Sequence, residues 1–217
     1  TDALWQIVND TIQIHGGKAY FTDQPFERWM RDARINTIGE GANDVLRAFI
    51  ALVGMRGVGE HLKGVLDAVH HPIKEFGTLW RFGRSKVAAM FSVPEVPVQS
   101  SRLKADAHEL AKRVRDFGQA VQSVLQKYRE SVLERQYVQE RIADAACDLY
   151  AASCTLSRLD YLLTHGNHNP LEVARDVTAG RYFLKLADRR IRHNLAALWD
   201  NDDEAATEAA NSALDRF

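Results

Sequence analysis

Cysteine is nearly absent: Cys147 and Cys154 are the only two in 217 residues. Seven positions apart on one helix, they would lie about 10 Å from each other, too far for a disulfide. They are expected as reduced thiols on a packed helix face, which points to a reducing compartment. Proline is scarce too, with five residues. No apolar run approaches the roughly 20 residues a helix needs to cross a bilayer. The opening TDALWQIVND has neither the basic start nor the apolar block of a secretory signal. It also lacks an initiator Met, which suggests a trimmed or partial chain. A formal net charge of −1 gives no excess of one sign and no pull toward nucleic acid. No stretch alternates polar and apolar residues as a half-buried strand does.

Helical periodicity fills the space those absences leave. Leu4, Ile7, Val8, Thr11, Ile12 and His15 recur at three- and four-residue spacing and predict a helix over residues 1–15, stopped by Gly16 and Gly17. A loop at 18–24 leads to Pro25, which suits a helix first turn, and to a short helix, PFERWMRDAR. After INTIGEG a helix restarts with Asn43 as a cap residue and runs through DVLRAFIALVGM.

Residues 54–100 have a different texture, with glycines at 54, 57, 59, 64, 77 and 83, His70-His71-Pro72 in the middle, and a linker, VPEVPVQSS, at the end. From 101 the chain reads as almost pure helix. Leu103, Leu110, Val114, Phe117, Val121, Val124 and Leu125 mark one apolar face, and Val138, Ile142, Ala145, Leu149, Ala152 and Leu156 a second. THGNHNP breaks the pattern, a third long helix follows over about 170–199, and a short closing helix has Asn201 or Asp202 as its cap. The expected fold is all-α, with an antiparallel bundle in the second half.

The densest motif region is residues 13–50. It contains QIHGG, then PFERWMRDARINTIGEGANDVLR. Singly, each piece has a plain structural explanation: paired glycines end helices, a glutamate between glycines is an exposed turn residue, and Arg31-Asp32 is a solvated pair. In this order and spacing, Gln13, Gly16, Gly17, Arg31, Asp32, Ile35, Ile38, Glu40, Gly41, Asn43, Asp44 and Arg47 resemble the acyl-CoA dehydrogenase family. That family carries a glutamine-x-x-Gly-Gly element, an arginine–aspartate helix start and an isoleucine-x-Glu-Gly-Thr turn. The ending GANDVLR, the length of chain after it, and ERQYVQERIADAACDLYAASCTLSR are most similar to the long-chain and very-long-chain branch.

The resemblance implies three parts. Residues 1–55 would end the dehydrogenase C-terminal helical domain, 56–100 would connect, and 101–217 would form an extra helical bundle. It implies an FAD-dependent oxidoreductase that desaturates long-chain fatty acyl-CoA between the α and β carbons in fatty acid β-oxidation. Glu40 would be the catalytic base, and the Gly41 backbone would approach the thioester. Gln13, Gly16, Gly17, Ala42, Asn43 and Asp44 would contact the cofactor, the first three on a flavin held by a neighbouring subunit. Such a protein would be at least a homodimer and pass electrons to electron-transfer flavoprotein or a similar acceptor. It would reside in bacterial cytoplasm, or in the mitochondrial matrix or at the inner-membrane surface. Three residues depart from the family pattern. Ala42 replaces the threonine after Glu-Gly and loses a hydroxyl. Gly39 replaces an aromatic residue and would loosen the turn. Ala19 stands where the family has a second glycine. The family's first helical domain and middle β domain are not in this sequence, so these residues alone are expected to bind FAD weakly and to be inactive.

Other features carry less chemistry. His61, His70 and His71 near Glu60 have no metal-site spacing, and His165 and His168 read as surface loop. There is no Gly-rich phosphate loop and no serine-hydrolase elbow. Residues 56–91 mix Phe76, Trp80, Phe82 and Phe91 with Lys63, Lys74, Arg81, Arg84 and Lys86, a composition suited to a membrane surface or to packing between two helical parts. The alternative function for the whole chain is a non-catalytic helical module for dimerisation or for membrane and partner docking.

Overall fold

The computed structural model describes residues 1–70, 93–165 and 169–214, with side chains described up to residue 59 in the first stretch. Among these residues there is no strand. Seven α-helices follow in order: α1 (Asp2–His15), α2 (Phe26–Ile35), α3 (Asn43–His70), α4 (Lys104–Tyr128), α5 (Gln136–Thr164), α6 (Pro170–Ala197) and α7 (Asp203–Leu214). Short 3₁₀ turns occupy Gly16–Tyr20, Ser101–Leu103 and Arg129–Glu134. The all-α expectation is met. Contacts divide the chain into two compact units, Thr1–Ile50 and Ala51–Phe217.

In the first unit α1 and α2 pack together and on the 3₁₀ turn between them. The His15 and Phe26 rings lie 4.3 Å apart and Phe26 meets Trp29 edge-on. Arg34 sits over the Trp5 ring. Ala19 is fully buried in the 3₁₀ turn, which begins directly at Gly16 where a loop was expected two residues later. The Arg31-Asp32 pair does not start a helix. It lies in the second half of α2, with Arg31 paired to Glu27 and Arg28 to Asp32, each one helical turn away.

In the second unit the two apolar faces read from the sequence meet. The end of α4 (Ala120, Val121, Val124) packs with the start of α5 (Val138, Ile142, Ala143), with Ala51 and Met55 of α3 and with Leu198. The start of α4 (Ala107, Leu110) packs with the end of α5 (Leu149, Ala152, Leu156, Leu159) and with Val177, Ala187 and Ile191 of α6. End against start is the signature of antiparallel neighbours joined by short connections. Alanines at the contacts let the helices approach closely, and Gly180 goes further. A Cβ there would fall 2.9 Å from both terminal methyls of Leu159, so α6 offers a notch into which that leucine fits.

Several local expectations differ. The helix expected to end at Met55 continues to His70, past Gly54, Gly57 and Gly59. Glycine costs about 1 kcal/mol of helix propensity relative to alanine but blocks no hydrogen bond, and the burial of Ala51 and Met55 offsets that cost. Val114 is exposed, because the α4 core stripe runs through Leu110, Ala111, Ala120, Val121 and Val124 instead. Cys147 and Cys154 are in no disulfide, as expected, yet they lie on the exposed face of α5, opposite the buried stripe, and not on a packed one. The VPEVPVQSS segment is docked: Asp160 accepts from the Gln99 and Ser100 N–H groups at 2.9 and 2.8 Å, and Val96 and Val98 pack on the core. Asn169 caps α6 by accepting from the Leu171 N–H, with Pro170 in the first turn. For α7 both cap candidates act. The Asp202 carbonyl accepts the first helical bond from Ala206, and the Asn201 side chain accepts from the Asp203 N–H. Of the segment 56–91 singled out for its aromatic and basic residues, everything from residue 71 lies outside the described residues.

Candidate functional site

The chemistry-bearing turn is built by backbone hydrogen bonds. As α2 ends, the Thr37 N–H donates to the Arg34 carbonyl, and the Ile38 and Gly39 N–H groups both donate to the Ile35 carbonyl, at 3.0 and 2.8 Å. The Asn43 N–H then returns to the Thr37 carbonyl at 3.1 Å, closing residues 37–43 into a loop just before α3. Thr37 also donates its hydroxyl to the Arg34 carbonyl at 2.8 Å, and the Arg34 guanidinium donates to the Thr37 hydroxyl.

Glu40 stands inside this loop at φ 55 and Gly41 at φ 110. A non-glycine residue in the left-handed region costs roughly 1–2 kcal/mol, and such strain persists only where the surroundings over-determine it. The hydrogen bonds that close residues 37–43 supply that constraint, and the flanking glycines give the backbone room to follow it. A Cβ at Gly41 would press on the Leu46 side chain at 3.2 Å, and one at Gly39 would approach the Ile35 carbonyl at 3.3 Å. The absence of a side chain at Gly39 leaves room for the Ile35 carbonyl, which accepts its N–H. The Glu40 side chain is exposed, so residues 1–50 do not by themselves desolvate it.

The turn is tied to the start of α1. Asn43 donates its side-chain amide to Asp2 at 2.5 Å and accepts from the Thr1 hydroxyl at 2.8 Å. Arg47 donates to the other Asp2 oxygen at 2.7 Å. Asn43 was expected as the helix cap, but Ala42 fills that position, since the Leu46 N–H bonds to the Ala42 carbonyl. Asp44 lies exposed in the first turn of α3, 3.8 Å from Arg47, where a carboxylate complements the helix dipole. Thr1, Asp2 and Thr37 were not picked out from the sequence. Asp2 had one weak signal, an acid in a helix first turn, and its partner lies 45 residues away.

Gln13, Gly16 and Gly17 occupy the opposite end of α1. Eleven residues separate Gln13 from Asp2, which is about 16 Å of helix. The turn with Glu40 and the Gln-x-x-Gly-Gly element thus stand at different ends of one helix. Gly16 caps α1 at φ 64 and donates its N–H to the Gln13 and Ile12 carbonyls. All three residues are exposed, and a Cβ on either glycine would meet nothing within 4 Å. Another molecule can therefore approach this backbone closely. The described residues hold no group of His, Cys, Asp or Glu arranged for a metal ion.

Comparison with known proteins divides along the same lines. Residues 1–55 match the family described as acyl-CoA dehydrogenase, C-terminal domain, and residues 101–214 match ACAD9/ACADV, C-terminal domain. The rat mitochondrial very long-chain specific acyl-CoA dehydrogenase is 31% identical over 215 residues, covering 94% of this chain and 31% of that protein. The human protein is 31% identical over 202 residues, covering 91% and 30%. Cyclohexane-1-carbonyl-CoA dehydrogenase of Geobacter metallireducens is 49% identical over 51 residues, which are 24% of this chain and 13% of that one. The chain thus spans about a third of the length of the full-span curated relatives. A crystal structure of an acyl-CoA dehydrogenase complexed with FAD from Bacillus anthracis superposes with a TM-score of 0.67 at 21% identity, covering 94% of this chain and 32% of that one, and shares its fold.

Proposed function

The chain belongs to the acyl-CoA dehydrogenase family and is most like its very-long-chain branch, and from this we propose that it is the C-terminal part of an FAD-dependent enzyme that desaturates long-chain acyl-CoA. The observation that carries the reading is Glu40 at positive φ between two glycines whose replacement would crowd the turn. A closed, strained loop aims one carboxylate, and such expense is typical of a functional side chain.

In this reading Glu40 removes the α proton of the thioester. A carboxylate in water is too weak a base for that step, so the proton transfer requires exclusion of water around Glu40. Since Glu40 is exposed within residues 1–50, the apolar walls come from the rest of the polypeptide and from the acyl chain itself. Gly41 adds no side chain on the thioester side, and its N–H is available to polarise the carbonyl as negative charge develops on oxygen. FAD would supply the acceptor for the hydride that leaves the β carbon. Its nucleotide part would fit the open end of α1, where the Gln13 amide can donate and the bare backbone at Gly16 and Gly17 allows close approach without steric cost. In a dimer the glycines would contact a neighbour's cofactor and Glu40 would lie beside its own. Asn43 uses its side-chain amide on Thr1 and Asp2, so it positions the Glu40 turn. Ala42 offers backbone only, and Asp44 lies one residue beyond. Electron-transfer flavoprotein or a similar acceptor, membrane contact through residues 56–91, and a bacterial cytoplasmic or mitochondrial site belong to the same proposal. So do the parts 1–55, 56–100 and 101–217.

A second reading, a docking or dimerisation module, is favoured by one observation: one of the two apolar clusters of the bundle, with buried residues from Leu103 to Ile191, includes none of the site residues. The test is Glu40→Gln in the full-length enzyme. Turnover of a long-chain acyl-CoA should fall by about 10²–10⁴, with FAD content unchanged. Turnover within a few-fold of wild type would remove Glu40 from the mechanism and leave the docking reading standing.

A further inference from the structure

The Ser101–Leu103 turn lies beside the first half of α6, and two hollows meet there. One, of about 290 Å³, lies between the end of α5 and the start of α6 and is walled by Leu162, Leu163 and Val173. The other, of about 420 Å³, continues along α6 past Arg181, Tyr182 and Lys185. Arg102, Ala174 and Val177 line both, so a single groove passes from an apolar half to a cationic half.

The charge in this groove is one-sided. Arg102, Arg181 and Lys185 face it, and among the described residues no carboxylate lines either half. The acid bonded to one of these cations, Asp106, holds the Arg181 Nε at 3.3 Å from a neighbouring hollow. Arg181 also donates to the Arg102 carbonyl at 2.5 Å. These two bonds fix one guanidinium at the boundary. Arg102 and Lys185 are exposed and have no carboxylate within ion-pair reach among the described residues. Tyr182, 63% exposed, stands at the mouth between them.

Arg102 and Lys185, which carry no ion pair among the described residues, beside an Arg181 already held by Asp106, favour an anion, and guanidinium suits the paired oxygens of a carboxylate or phosphate. The adjoining half offers leucine and valine side chains against which an alkyl chain can be removed from water. We propose that this groove binds a single-chain amphiphile with an anionic head. The head lies against Arg102, Arg181 and Lys185, and the alkyl chain over Leu163, Val173 and Val177. The site is built wholly from residues of the second unit and uses neither Glu40 nor the glycines of α1.

The test is isothermal titration of the 217-residue chain with monomeric octanoate and octyl phosphate, alongside inorganic phosphate, octanol and octyltrimethylammonium. One saturable site is expected for at least one of the anionic octyl compounds. It should be at least tenfold tighter than for the other three probes, and the tighter of the two identifies the head group. Arg102→Ala with Lys185→Ala should weaken it at least tenfold. Ala174→Trp, at an exposed helical position shared by both halves, should abolish it while circular dichroism stays unchanged. The proposal is overturned by the absence of saturable binding, by unchanged affinity in the double variant, by inorganic phosphate matching octyl phosphate, or by octanol or the cationic compound matching the anions.

Discussion

In residues 1–50 the buried apolar side chains are small and few, Val8, Ala19 and Ala33, while Ile7, Ile14, Ile35, Ile38, Val45 and Phe49 are all exposed. In the second unit Leu103, Ile142, Leu156, Ile191 and Leu198 are at most 2% exposed. Both regions are helical, yet only the second buries large residues of its own. Exposed apolar surface on the scale of the first unit marks an interaction face, and that unit carries every residue proposed above for dehydrogenation. Its core is the kind completed against another layer of protein. The bundle is closed on itself and free to carry a separate role. Helicity alone does not separate the two regions; side-chain burial does.

That contrast can be broken most sharply by truncation. Leu156→Ala, at 2% exposure, should lower the stability of the bundle by about 2–5 kcal/mol through lost burial and a residual cavity. Ile7→Ala, at 62% exposure, should change it by less than about 0.5 kcal/mol. Urea unfolding of each variant measures the difference, and equal losses would mean that residues 1–50 are as well packed as the bundle. The next effect belongs to the first unit alone. Gly41→Ala places a side chain at φ 110 and against Leu46, displacing Glu40. In the full-length enzyme it should cost about 10²-fold in turnover, the scale of an ångström's misplacement, with the unfolding midpoint of the bundle unmoved.

A smaller effect concerns α7, which buries no residue. Its start is held by Arg141, which donates to both oxygens of Asp203, at 2.7 and 2.5 Å. That pairing raises the Arg141 pKa further above its ordinary value, Asp203 being the main cause. Asp203→Asn should destabilise the helix by about 1 kcal/mol, the upper end for partly exposed pairs. Hydrogen exchange should show it as faster exchange of α7 amides, with α5 unchanged. The smallest effect is one of pH. The Lys112 ammonium, hydrogen-bonded to Glu109, holds that carboxyl below its ordinary range. A depressed carboxyl pKa contributes stability that is present above the unfolded-state value and lost as pH falls through the folded one. Melting temperatures followed from about pH 5 downward, across the ordinary glutamate value near 4.3, should therefore drop slightly less for Glu109→Gln than for wild type. An identical slope would assign the acid response to other groups.

The helices and the critical turn were legible in the residues alone, because both are local. The three- and four-residue spacing of Val138, Ile142, Leu149 and Leu156 fixes a buried stripe, and Gly16 and the Gly39-Glu40-Gly41 run mark where the chain must bend. Features whose energy comes from distant residues were not legible there. Gly54 and Gly57 leave α3 intact because Ala51 and Met55 are buried against α4 and α5. Cys147 and Cys154 face outward because α4 and α6 occupy the opposite side of α5. Packing set what Asn43 does, how the 93–100 segment docks on Asp160, and that Arg102 and Lys185 line one hollow. Each rests on partners 41 to 61 positions apart, or on different elements, as with Asp2 and Asn43 or Gln99 and Asp160. Helix propensity and turn chemistry act over a few residues, whereas these pairings exist only once the helices have packed.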